Sequence, residues 1–102
     1  TIMNKQYKAL IVGVKTSEPM LRLQREAEKM GNIAITGVLS TELVIHTSPS
    51  KTEFRLRDSK INLEDIDLVY TWAITKRRKP DWLLFLNFLH KRYKTKIIYE
   101  RW

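Results

Sequence analysis

Cysteine is absent from the 102 residues. Its absence excludes disulfide frameworks, thiol nucleophiles and cysteine-zinc sites, and fits a reducing compartment. Glycine is scarce, with only Gly13, Gly31 and Gly37 present. Neither G-x-G-x-x-G nor G-x-x-x-x-G-K-[ST] occurs, so the dinucleotide fingerprint and the P-loop are both missing. The two histidines, His46 and His90, stand alone. No H-E-x-x-H surrounds them and neither has a local metal-ligand partner, so both read as surface residues and no metal site is expected. The longest apolar runs, Ala9–Val14 and Trp82–Leu86, fall far short of the ~20 residues a spanning helix needs. No charged, apolar and small-residue leader opens the chain. The expectation is a cytoplasmic protein with no membrane partner.

What is present is a charge imbalance. The net charge is +8, with 43% hydrophobic and 29% charged residues, a composition suited to one globular domain. Residues 1–75 carry ten basic and nine acidic residues, whereas residues 76–102 carry nine basic and two acidic ones. The partner question is therefore a question about the last quarter, above all Lys76-Arg77-Arg78-Lys79 before Pro80.

The apolar pattern predicts an α/β domain. Lys8–Val14 is a β-branched run without alternation, as in a strand covered on both faces. Ser17, Glu18 and Pro19 supply an N-cap and a first helical turn. Met20, Leu23, Ala27 and Met30 then form one apolar stripe, which Gly31 ends. Ile33–Leu39 reads as a second strand. Residues 42–46 and 53–57 read as two short strands joined through Thr47–Thr52. Asp67–Trp72 is another central strand, Asp81–Tyr93 a helix with Asp81 as its cap, and Lys96–Tyr99 a closing strand. The stripe of that helix is Trp82, Leu86, Leu89 and Tyr93, widened by Phe85. Residues 1–7 are expected to form a flexible segment and residues 8–102 a single domain. Glu64, Asp65 and Asp67 could in principle bind Mg²⁺ or do acid/base work, but they read as a polar turn before a strand.

Three stretches together carry a family resemblance: KALIVGVKTSEPMLRLQREAEKMG, TELVIHTSPSKTEFRLRDSKINLEDIDLVYTWAI and DWLLFLNFLHKRYKTKIIYERW. Their order resembles the pre-ATP-grasp domain, the small amino-terminal domain of ATP-grasp ligases, and looks most like that of RimK-type enzymes, which add amino acids to peptides and proteins. The likeness covers roughly residues 8–99 and rests on element order and hydrophobic pattern. It implies a small Rossmann-like domain with a mainly parallel sheet, an embedded β-hairpin and two flanking helices. It also implies that this chain is not catalytic alone. ATP and Mg²⁺ would be held by catalytic lobes downstream or on a partner chain, which activate a carboxylate as an acyl phosphate for attack by an amine. This chain would help form the substrate end of the cleft. In many relatives the strand matching Asp67–Trp72 ends in an arginine facing that cleft; here the position is Trp72.

In open α/β sheets ligands bind beyond the carboxyl ends of the strands. The loop Lys15-Thr16-Ser17 and the segment from Trp72 through Lys76, Arg77, Arg78 and Lys79 both follow expected strands, so these are the candidate substrate-binding residues. Four cations beside a helix N-terminus conflict with its positive dipole end, and an acidic small molecule or peptide would relieve the conflict. The alternative is a standalone nucleic-acid- or ribosome-binding module. It would join Lys76–Lys79 to Lys91, Arg92, Lys94 and Lys96, with Tyr70, Trp72 and Trp102 as stacking surfaces. A helix of about thirteen residues would separate the two basic groups by roughly 18 Å. A nuclear address and a solvated loop without a ligand are the remaining readings of the cluster.

Overall fold

Four strands run parallel in the computed structural model, which describes residues 6–15, 17–59 and 61–99. They are β1 (Tyr7–Gly13), β2 (Ile33–Leu39), β5 (Leu68–Thr71) and β6 (Lys96–Tyr99), in the spatial order β2-β1-β5-β6. Between β2 and β5 the chain makes an antiparallel hairpin, β3 (Leu43–Thr47) and β4 (Thr52–Leu56), which is a separate two-stranded sheet. Two helices complete the domain: α1 (Glu18–Met30) links β1 to β2, and α2 (Lys79–Tyr93) links β5 to β6. The α/β class, the mainly parallel sheet and the hairpin embedded in the chain order all agree with the sequence. Most of the segment expected to be flexible, residues 1–5, lies outside the described residues, and β1 already starts at Tyr7.

The direction of the crossovers decides where the helices sit. From the centre, β1 steps outward to β2 on one side, and β5 steps outward to β6 on the other. Crossovers of one hand in opposite directions place their helices on opposite faces. Side-chain alternation shows this. Leu10, Val12, Val38 and Val69 point to one face and form a continuous core with Trp82, Phe85, Leu86 and Leu89 of α2. Leu43 and Leu56 of the hairpin join the same core, and Phe54 packs its ring 5.3 Å from Phe85 and 4.9 Å from Phe88. On the other face α1 presses Met20 against β1 and β2. A Cβ on Gly37 would lie 2.6 Å from the Met20 sulfur, so a larger residue there would force the Met20 side chain to shift.

The helix ends obey local rules. Ser17 caps α1 by accepting a hydrogen bond from the Met20 N–H at 3.4 Å, and Gly31 ends it in the left-handed conformation at φ 78°. The second helix starts two residues earlier than the sequence pattern suggests. Residues 76–78 form a 3-10 turn that runs directly into Lys79, and Arg78 occupies the N-cap position. Asp81 is therefore not the cap but part of the first turn, paired with Arg78 at 3.1 Å. That pairing is the physical reason for the difference. An acid three residues inside the helix lets Arg78 sit at a positive helix end.

Coverage of the two faces is unequal. One is closed by α2 and the hairpin together. Among the described residues the other carries only α1, above β2 and β1. Half of the stripe expected to be core on α1 is consequently exposed: Met20 and Ala27 are buried, but Leu23 and Met30 are 42% and 63% exposed.

Candidate functional site

The strand order reverses direction between β1 and β5, the two central strands, and their carboxyl ends lie side by side. This is the switch point at which open α/β sheets form a crevice. The structure thus brings the two predicted loops to one edge. Trp72 and Ala73 both donate their backbone N–H to the Val12 carbonyl, at 2.9 and 3.1 Å, so the chain leaving β5 folds over the end of β1. A contact of 3.4 Å between the Ser40 and Thr75 hydroxyls ties the same segment to the end of β2.

The candidate residues divide into three groups. Lys15 is exposed beside the crevice, and Ser17 is engaged as the α1 cap. Thr16 lies outside the described residues. Trp72 points to the α1 side of the sheet, where its ring lies 6.2 Å from that of Tyr70. The basic cluster is divided as well. Lys76 and Arg77 are exposed, and Lys79 is half-buried at the start of α2.

Arg78 is turned into the fold. Its Nε donates to the Ser40 carbonyl at 3.5 Å, its Nη2 to the Leu43 carbonyl, and its Nη1 to the Asp81 carboxylate at 3.1 Å. Ser40 and Leu43 flank the turn joining β2 to β3, so one guanidinium fastens the basic turn to the hairpin. The planar fork suits such divergent acceptors. Trp82 Nε1 adds a 2.8 Å bond to the same Ser40 carbonyl.

Sequence reasoning overlooked Glu42. It is buried, accepts the Leu39 N–H at 2.6 Å and receives the Ser59 hydroxyl at 3.5 Å. The signal was there: Leu39 followed three residues later by Glu is the spacing at which a side chain reaches back to cap a turn. Its role is to hold the β2–β3 turn that Arg78 also grips.

The other charged features are remote. Asp67 accepts the Lys8 N–H at 2.9 Å and Asp65 pairs with Lys8 at 3.8 Å, so this acidic cluster serves the amino ends of the strands. Among the described residues no group of three or more His, Asp and Glu is placed to hold a metal, and no helix is long and apolar enough to cross a membrane. His90 Nδ1 lies 3.1 Å from the Thr95 carbonyl, and His46 faces Glu53 across the hairpin. Lys91, Arg92 and Lys94 gather at the carboxyl end of α2, away from the crevice. The Lys94 backbone is left-handed at φ 62°, and its N–H closes the helix on His90.

Comparison with family models, with curated proteins and with solved structures returned no match. The fold defines the chain as an α/β domain with an open parallel sheet.

Proposed function

We propose that this chain is the amino-terminal, substrate-side domain of an ATP-grasp carboxylate–amine ligase of RimK type. It is not catalytic alone; ATP and Mg²⁺ belong to catalytic lobes downstream or on a partner chain. Its own contribution is to receive an acidic small molecule or peptide at the crevice. The observation that supports this best is the meeting of two loops at the β1–β5 switch point, with Lys15, Lys76 and Arg77 exposed at that edge. Arg78 contributes less to this reading, because three of its five N–H donors are engaged within the fold.

The test titrates triglutamate into ¹⁵N-labelled protein and compares the parent with the Lys76→Glu/Arg77→Glu double variant. Two exposed charge reversals predict a loss of up to about tenfold in affinity. Unchanged affinity, or amide shifts confined to the carboxyl end of α2, would sink the crevice reading. The coding sequence beyond Trp102 tests the ligase assignment separately: a nucleotide-binding lysine and Mg²⁺-binding acids are expected there. The nucleic-acid alternative needs RNA binding that survives high salt or prefers particular bases. The position of Lys91, Arg92 and Lys94 at the opposite end of α2 from Lys76 and Arg77 favours the acidic-ligand reading.

A further inference from the structure

The half of the α1-side sheet face that no described residue covers is a groove. Ala9, Ile11, Leu68 and Tyr70 form its floor, Leu23 of α1 one wall, and Trp72 the end nearest the strand termini. Its volume is about 280 Å³ and its lining is apolar throughout. That is the size of the smallest ligand clefts, enough for one or two rings. The Tyr70 and Trp72 rings, tilted at 38° to each other, present aromatic surface opposite the aliphatic Leu23.

A cation stands at the β6 edge of this face. In the register of β5 with β6, Lys96 lies beside Leu68 and Ile98 beside Tyr70. Ile97 packs into the core on the α2 side, so alternation turns Lys96 and Ile98 to the groove side. Lys96 is exposed, and no ion pair is formed to it among the described residues. An apolar slot with a positive charge at its β6 edge is complementary to a molecule with a flat apolar body and one negative end.

A second copy of the chain fits the groove less well. If α1 of a second copy entered it, the exposed Glu18, Arg22, Arg25 and Lys29 would be brought against the apolar floor. A dimer built that way would bury those charges under the partner's sheet, at a large desolvation cost.

We propose that this groove binds a small aromatic carboxylate, with the rings lying between Leu23 and the Tyr70–Trp72 pair and the carboxylate facing Lys96. The site is distinct from the acidic-ligand crevice and does not depend on the ligase reading.

The probe is 2-naphthoate, followed by quenching of tryptophan emission and by ¹⁵N amide shifts, with 2-naphthylmethanol as its uncharged analogue. Saturable one-to-one binding is expected, with shifts at β1, β5 and β6. The alcohol and the Lys96→Glu variant should each lose about fivefold in affinity. Leu23→Arg, at a position already 42% exposed, should abolish binding while the far-ultraviolet circular dichroism stays unchanged. Lys91→Glu, on α2, is the control and should bind like the parent. Equal affinity for acid and alcohol, an unaffected Lys96→Glu variant, or shifts centred on the hairpin would overturn the proposal. So would a concentration-dependent dimer that Leu23→Arg dissociates, because the groove would then be a self-association surface.

Discussion

Replacing Arg78 by alanine separates a residue that holds the fold from neighbours that face solvent. The guanidinium donates to two main-chain carbonyls, Ser40 and Leu43, both in residues that are almost wholly buried. Hydrogen bonds from a charged donor contribute about 1.5–3 kcal/mol each. The Arg78 side chain is 28% exposed, so water can reach part of the vacated space, and Trp82 Nε1 still satisfies the Ser40 carbonyl. The pair with the half-exposed Asp81 adds roughly 0.5 kcal/mol or less. The net expectation is a loss of about 2 kcal/mol, or a fall in Tm of about 8–16 °C for a domain of this size. Urea unfolding followed by tryptophan emission, to which the buried Trp82 contributes, measures it. Arg78→Lys keeps the charge but lacks the fork, and should recover less than half of the loss. Lys76→Ala and Arg77→Ala should stay within about 0.5 kcal/mol of the parent. If Arg78→Ala also stays within that margin, the guanidinium is not a clamp, and it returns to the ligand-binding candidates.

Gly37→Ala should destabilise the domain by about 1–2 kcal/mol, because the new methyl meets the Met20 sulfur at 2.6 Å. In a Met20→Ala background the same change should be neutral or stabilising, and additive effects in the double-mutant cycle would refute the packing argument. On the hairpin, the hydrogen bond and charge of Lys51 hold the Glu53 carboxyl below its ordinary pKa, and the same contacts raise that of Lys51. The stabilisation linked to Glu53 is present above the ordinary carboxylate range and disappears as pH falls through its lowered folded-state value. That linked to Lys51 is present below the ordinary lysine range and is lost as pH rises through its raised value. An NMR titration of Glu53 should show a depressed midpoint that Lys51→Met restores, and a midpoint unchanged by the substitution would contradict the contact.

Much of this architecture was legible because short-range chemistry writes it. Ser17, Pro19 and Gly31 set both ends of α1, and the β-branched runs mark β1 and β2. The site was legible only to the level of loops. Four consecutive basic residues look equivalent in sequence, yet Arg78 differs from Arg77 because Ser40 and Leu43, some 35 residues away, come within reach. Local spacing records the Arg78–Asp81 pair, three residues apart, but not those two carbonyls. Trp72 shows the same limit. Its place after β5 puts it at the strand ends, while alternation from Leu68 and Tyr70 turns its ring away from the basic turn and toward the α1 face.

The apolar stripe on α1 misleads for a related reason. Periodicity reports which side of a helix avoids water, not how much protein is available to cover it. Met20 finds Gly13 of β1 and Gly37 of β2 beneath it and Ala27 is buried, whereas Leu23 borders the groove toward β5 and Met30 is exposed, with no further helix on that face among the described residues. The chain between β2 and β5 could have supplied that missing cover, but it forms the hairpin, whose Leu43 and Leu56 close the opposite face beside α2. Unequal coverage is thus a direct consequence of which side of the sheet the hairpin takes. It leaves Leu68 and Tyr70 half-buried on a groove when a third helix would have made them core, while Ile11 on the groove floor is already buried.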